Sequence, residues 1–208
     1  MRQLTTTTLR LGSRALSAVD PDLGAIVRRL GVPPFWGRRP GFSTLIRIIL
    51  EQQVSLAAAR TMYVRLRREA GAVTPDSVIA LGVPGLRSLG FTRQKAAYCV
   101  GLATAVHSGD LDLAAVARAE FEAGRRMLLQ VRGLGPWSVD IYFLMALRRP
   151  DVWPHGDLAL ADAVHRVKRL RKRPDHDTLT RLAWQWAPWR SVAARILWQD
   201  YLEVSGKR

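Results

Sequence analysis

The chain has 208 residues, 48% of them apolar, and its 32 Lys and Arg against 17 Asp and Glu leave a formal net charge of +15 at pH 7. This length suits one large domain or two small ones, and the apolar share is enough for a packed core. The single cysteine, Cys99, excludes an internal disulfide, a four-cysteine zinc site and a four-cysteine iron–sulfur cluster, and no apolar run approaches the roughly 20 residues of a membrane span. A reducing cytoplasm fits one free thiol. The charge excess points to a polyanionic partner, nucleic acid ahead of an anionic membrane. A second origin for it stays open, because nearly all the basic residues are arginine, with lysine only at 95, 168, 172 and 207, as a GC-rich genome also produces.

The first 20 residues, MRQLTTTTLRLGSRALSAVD, carry three arginines and no acid before Asp20. Transit peptides share that bias, but the segment reads as part of the folded domain or its frayed start, and it lacks the apolar run of a secretory signal. Residues 20–31 form a helix pattern with an Asp-Pro start and a closing glycine; residues 32–42, rich in Pro and Gly, read as a loop. From Phe42 to Gly71 apolar residues recur at helical intervals, with a break near Gln52 and Gln53. Thr74 and Pro75 predict the cap and first position of the next helix. Further helices are predicted in FTRQKAAYCVGLATAVHSG, EFEAGRRMLLQ, PWSVDIYFLMALRR, DLALADAVHRVKRLRKR and the stretch from Pro174 to Leu202. No segment alternates with period two. The expectation is an all-α protein of roughly nine or ten helices. It is one domain over 1–208, and any division into two lobes has to come from packing.

The turn VRGLG, residues 131–135, joins MLLQ to PWSVDIYFLMAL. Pro136 suits a first helical position, where its missing N–H has no partner to lose. Gly133 and Gly135 leave no Cβ in the way of an approaching group and expose N–H groups at a helix start, where the helix dipole favours an anion. Leu134 between them is placed to point inward. An ordinary helix–helix turn using glycine for a left-handed conformation remains the competing reading; the charge excess favours a DNA phosphate.

LLQVRGLGPWSVDIYFLMAL resembles the helix-hairpin-helix of the base-excision DNA glycosylases, with the hairpin over about 121–147. WPHGDLALADAV, FSTLIRIILEQQVSLAAA, GLRSLGFTRQKAAYCVGLA and WAPWRSVAARILW resemble other parts of the same superfamily. Together the motifs run from about residue 42 to 200 in the family's order. Within the superfamily they are most similar to bacterial 3-methyladenine DNA glycosylase II. That enzyme has an additional N-terminal α/β domain; only about 40 residues precede the match here, as in the family's shorter members. The resemblance implies a two-lobed helical glycosylase fold and a monomeric enzyme acting on double-stranded DNA that contains damaged bases.

It also implies roles. In the superfamily the loop after the hairpin ends in the catalytic aspartate, here Asp157. Such enzymes flip a nucleotide out of the duplex and cleave its N-glycosidic bond as positive charge builds on the sugar. A fixed carboxylate at about 4 Å stabilises that charge by roughly 4 kcal/mol at an effective dielectric near 20, about a thousandfold in rate. The competing reading of Asp157 is a helix N-cap, and both can hold. Asp140, Asp151 and Asp162 read as surface or hairpin residues. The lysine that gives some members backbone-cutting activity is replaced by Trp137, which implies a monofunctional enzyme. Trp137 and Trp198 match aromatics of the base pocket, suited to a cationic alkylated base; Trp184, Trp186 and Trp189 read as core. Leu158 stands where the relative has a tyrosine.

Gln53 matches the side chain that fills the gap left by the flipped base, where the relative has an apolar wedge. Gln52, Arg132, Gly133 and Gly135 complete the implied DNA contacts. The backbone carbonyls of Leu129, Val131 and Leu134 match those that hold a monovalent cation, Na+ or K+, in related hairpins; no other cofactor is expected. HRVKRLRKR, residues 165–173, could follow a phosphate backbone or be a solvated basic face. The leading reading is excision of 3-methyladenine-type bases. A glycosylase for deaminated or mismatched bases and a non-catalytic DNA-binding module are the alternatives.

Overall fold

The computed structural model describes residues 3–206. Among them are twelve α-helices, one π-helical segment and no strand. Packing divides the chain into two compact units. One comprises the chain up to Gly37 and again from Phe143; the other is Arg38–Tyr142. No linker composition marks that division. It is made by which helices share a core.

The first unit holds α1 (Thr6–Val19), α2 (Pro21–Leu30), α10 (Leu158–Val167), α11 (His176–Trp184) and α12 (Arg190–Ser205). α12 is its axis: every residue from Ser191 to Trp198 is buried, and α1, α2 and α10 pack around it. Gly12 lets α1 close on α12, since a Cβ there would lie 2.8 Å from the Trp189 ring. The N-terminal segment is core helix. Thr5 and Thr8 form a capping box, and Leu4, Leu9 and Leu16 are buried. Asp20 caps α2 and accepts from Lys168 Nζ and Trp186 Nε1, both at 2.7 Å. Buried Asp200 pairs with Arg29 and Arg166.

The second unit holds α3 (Phe42–Glu51), α4 (Leu56–Ala70), α5 (Pro75–Ser88), α6 (Arg93–His107), α7 (Leu113–Arg118), α8 (Phe121–Leu129) and α9 (Pro136–Ile141). α3 is mostly apolar and mostly buried, with Arg47 exposed: α4, α6 and α9 pack on it. Its last turn is tied by charge. Lys95 Nζ donates to Leu50 O at 2.5 Å, and Glu51 takes a bidentate pair from Arg38 at 2.8 and 2.9 Å. Burial pushes the Lys95 ammonium below its usual range, and the neighbouring Cys99 thiol up to about 12. α9 runs on into the π-helical segment Tyr142–Ala146.

The helix count exceeds the sequence expectation for local reasons. α1 has a cap built of threonines, α7 is only 6 residues long, and the final predicted helix breaks between Trp184 and Arg190. Trp186 is fully buried and Trp189 half-buried, but Trp184 is 71% exposed and is not core.

Candidate active site

In the second unit the hairpin is α8, the turn and α9. Arg125 Nε and Asp140 Oδ1 pair its two helices at 3.0 Å, and Asp140 is a buried hairpin residue, not a surface one. The two glycines of the turn do different work. Gly133 has φ +99°, and a Cβ there would lie 2.3 Å from Tyr98 Cγ. Its missing side chain serves the packing of α6 against the turn. Gly135, with φ −80° and nothing within 4 Å of a Cβ, is the open position. It starts α9 with no side-chain cap, ahead of Pro136. Leu134 is buried as expected, and Arg132 is exposed. Of the three carbonyls matched to a cation, that of Val131 accepts the Leu134 N–H at 3.0 Å, which tightens the turn. Trp137 lies half-buried on the first turn of α9.

The paired glutamines also separate. Gln52 Nε2 donates to Gly133 O and to Ser138 Oγ, both at 2.8 Å. The amide nitrogen of Gln52 thus braces the hairpin from within the unit. Gln53, next along, is exposed with φ +55°. A non-glycine residue in this left-handed region is uncommon, and such strain clusters where a side chain has to be aimed. The break between α3 and α4 thus turns one glutamine onto the hairpin and the other to solvent.

In the first unit Asp157 is 7% exposed and caps α10. Its Oδ1 accepts from Leu160 N at 2.9 Å and from Trp198 Nε1 at 3.3 Å. The cap reading holds, and the hydrogen bond that starts the helix, with that from the indole, pins the carboxylate. Leu158 beside it is 69% exposed. α12 holds the approach to this loop. Ser191 Oγ accepts from Val152 N at 3.0 Å and donates to Arg149 O at 2.7 Å. Arg190 clamps Asp151 through Nε and Nη2, both at 2.7 Å. Arg195 donates to three carbonyls, those of Phe35, Ser191 and Leu144. Ser191, Arg195 and Trp198 lie four and three residues apart, hence on one helix face. Sequence reasoning did not single out Ser191 or Arg195; three polar-tipped residues at helical spacing in the otherwise apolar stretch 191–198 were the available signal.

The other acids are committed elsewhere. Asp151 serves Arg190, and Asp162 pairs with Arg173 at 3.0 Å. The basic run 165–173 is partly structural, since Arg166 holds Asp200 and Lys168 holds Asp20 and Asp22. Of the lysines, Lys95 is tied to α3, Lys172 is exposed on the run after α10, and Lys207 lies outside the described residues. No group of three or more His, Cys, Asp or Glu suited to a metal occurs among the described residues, and no helix there is long and apolar enough to cross a membrane.

The chain is 25% identical over 185 residues to a DNA-3-methyladenine glycosylase of Bacillus subtilis, covering 83% of this chain and 59% of that protein. It is 27% identical over 166 residues to DNA-3-methyladenine glycosylase 1 of Schizosaccharomyces pombe, covering 78% of this chain and 73% of that one. Against several relatives the chain spans about half of their length. Among solved structures, a 3-methyladenine DNA glycosylase of Schizosaccharomyces pombe in complex with abasic DNA matches with a TM-score of 0.80 at 25% identity, over 90% of this chain and 95% of that one. The model of the HhH-GPD superfamily of base excision DNA repair proteins matches residues 46–189, and the chain belongs to that superfamily.

Proposed function

We propose that this chain is a monofunctional DNA glycosylase that removes alkylated bases, chiefly 3-methyladenine-type purines, as the first step of base excision repair. The observation that carries the reading is Asp157: a buried carboxylate at the end of the loop after the hairpin, fixed by Leu160 N–H and the Trp198 indole. A carboxylate held this way pays no reorganisation when positive charge develops on the sugar. The same Asp157 can orient the attacking water. The Gly135 end of the hairpin offers an uncapped helix start to a phosphate, and Arg132 adds charge beside it. Gln53, aimed outward, enters the space vacated by the flipped nucleotide and hydrogen-bonds the orphaned base. Trp137 and Trp198 supply indole faces for a cationic base. The carbonyls of Leu129, Val131 and Leu134 hold a monovalent cation between turn and phosphate. Trp137 at the lysine position removes the Schiff-base route. The enzyme works as a monomer on duplex DNA in the cytoplasm. The names of the relatives support the substrate class.

The test is release of free base from alkylated duplex DNA, with borohydride present in a parallel reaction. The expected product is an intact strand with an abasic site and no covalent complex. Efficient trapping through any lysine overturns the monofunctional reading; absence of base release overturns the enzyme reading.

A further inference from the structure

The second unit contains a buried lysine that its own helix does not account for. Thr92 caps α6 by accepting from Lys95 N at 3.2 Å. Lys95 therefore sits in the first turn of α6, where the helix end is already partly positive and no acidic residue offsets it. Its side chain is buried, and burial pushes the ammonium below its usual range. A buried cation held by a carbonyl costs more than a packed apolar side chain, so core stability does not account for it either.

The reason lies on α3. Lys95 Nζ donates to Leu50 O at 2.5 Å. Leu50 belongs to the last turn of α3, whose carbonyls lack partners within the helix and carry its partial negative charge. The backbone closes this end weakly, since Gln52 N reaches Ile49 O only at 3.4 Å. Side chains supply the remaining restraint. Glu51 takes Arg38 through both carboxylate oxygens and Arg47 Nε through Oε1 at 3.2 Å. Gln52 Nε2 is fixed on Gly133 O and Ser138 Oγ. Leu50, Glu51 and Gln52 are thus each held by side-chain hydrogen bonds. The next residue is Gln53, exposed and at φ +55°. A non-glycine residue keeps such a conformation only where its surroundings determine it. Here the three residues before it are the ones that are fixed.

We propose that Lys95 and Arg38 are positioning residues for Gln53: by pinning the last turn of α3 they fix the backbone from which Gln53 is presented. Every group involved belongs to the second unit. The consequence for DNA rests on the gap-filling role proposed above for Gln53.

The experiment uses the full chain with a nitroxide attached at Gln53→Cys. Cys99 does not compete for the label, because it is fully buried and its thiol is pushed up to about 12. The spectrum reads the mobility of the label, and Lys95→Met, which keeps the length and removes the charge, increases it. In unlabelled protein, the preference for duplex DNA with an abasic-site analogue over undamaged duplex falls about tenfold in Lys95→Met, the worth of one oriented hydrogen bond. Gln53→Ala lowers that preference as much, and the double variant loses no more than Gln53→Ala alone. Wild-type mobility in a cooperatively folded Lys95→Met overturns the proposal. So do losses that add in the double variant, which is what a merely structural lysine predicts. If Lys95→Met does not fold, Arg38→Gln replaces it in every arm, with the same expected and the same overturning results. Raised mobility beside a Gln53→Ala that keeps the wild-type preference leaves the hold on Gln53 standing and rejects its gap-filling role instead.

Discussion

Two helix starts in this protein share a local chemistry and use it in opposite ways. α9 begins at Gly135 with no side chain over its first N–H groups, and α10 begins at Asp157, whose carboxylate takes the N–H of Leu160. Each start carries partial positive charge. At the hairpin no side chain caps that charge. At α10 it is met by the chain's own carboxylate, which is thereby fixed in place. One side chain, absent or acidic, separates an open helix start from one that presents a negative charge. The supports differ accordingly. The hairpin turn is braced behind its open face by Gln52 and by the ring of Tyr98. Asp157 is held at the carboxylate itself, by an indole 41 residues away.

The largest effect expected comes from making the second start resemble a neutral cap. Asp157→Asn keeps a good N-cap, so α10 and the melting temperature survive. It removes the charge, and base release falls by roughly 4 kcal/mol, about a thousandfold. DNA affinity holds or rises, because a negative charge near a polyanion is gone. Single-turnover release beside wild type checks this; near-normal release by a folded variant reduces Asp157 to a cap.

A middle-sized effect separates the two glycines. Gly133→Ala forces a Cβ into Tyr98 at a positive φ, and unfolding titrations should show a loss of roughly 1–3 kcal/mol. Gly135→Ala meets nothing and should cost about 1 kcal/mol or less in stability. Its effect belongs to DNA, with affinity reduced alike for all sequences, because phosphate contacts position without reading bases. If Gly135→Ala leaves affinity untouched, the open start is not the phosphate site. Wild-type affinity should also fall steeply with salt, as counterion release requires.

The smallest effect concerns the other Asp–Trp cap, Asp20 with Trp186. Burial raises the pKa of this carboxyl, but hydrogen bonds from Lys168, Trp186 and Leu23 outweigh it and hold it below the usual range. A carboxyl depressed in the folded state adds stability that is present above its unfolded pKa and is lost as pH falls through its folded one. Melting temperature should therefore drop in acid below the ordinary carboxylate range, and Asp20→Asn should flatten part of that drop. An unchanged acid profile in the variant removes Asp20 from the account.

What the sequence determined by itself is what short-range physics decides. Thr74 with Pro75 and Asp20 with Pro21 start helices where expected, because a cap reaches only two or three residues along the chain. The helical periods and the break at the glutamines are equally local. The hairpin and the position of Asp157 were legible because their motifs are contiguous. What only the tertiary structure decided depends on partners far away in sequence. The bracing of the hairpin by Gln52 could not be read locally, since its acceptors lie 81 and 86 residues on. Gly133 is glycine for the sake of Tyr98, Trp184 is exposed while Trp186 is buried, and Arg195 enters the core to find carbonyls 160 and 51 residues away. The two units arise the same way, because a core is shared by helices that meet in space, and α1 and α2 meet α12 across the whole length of the other unit.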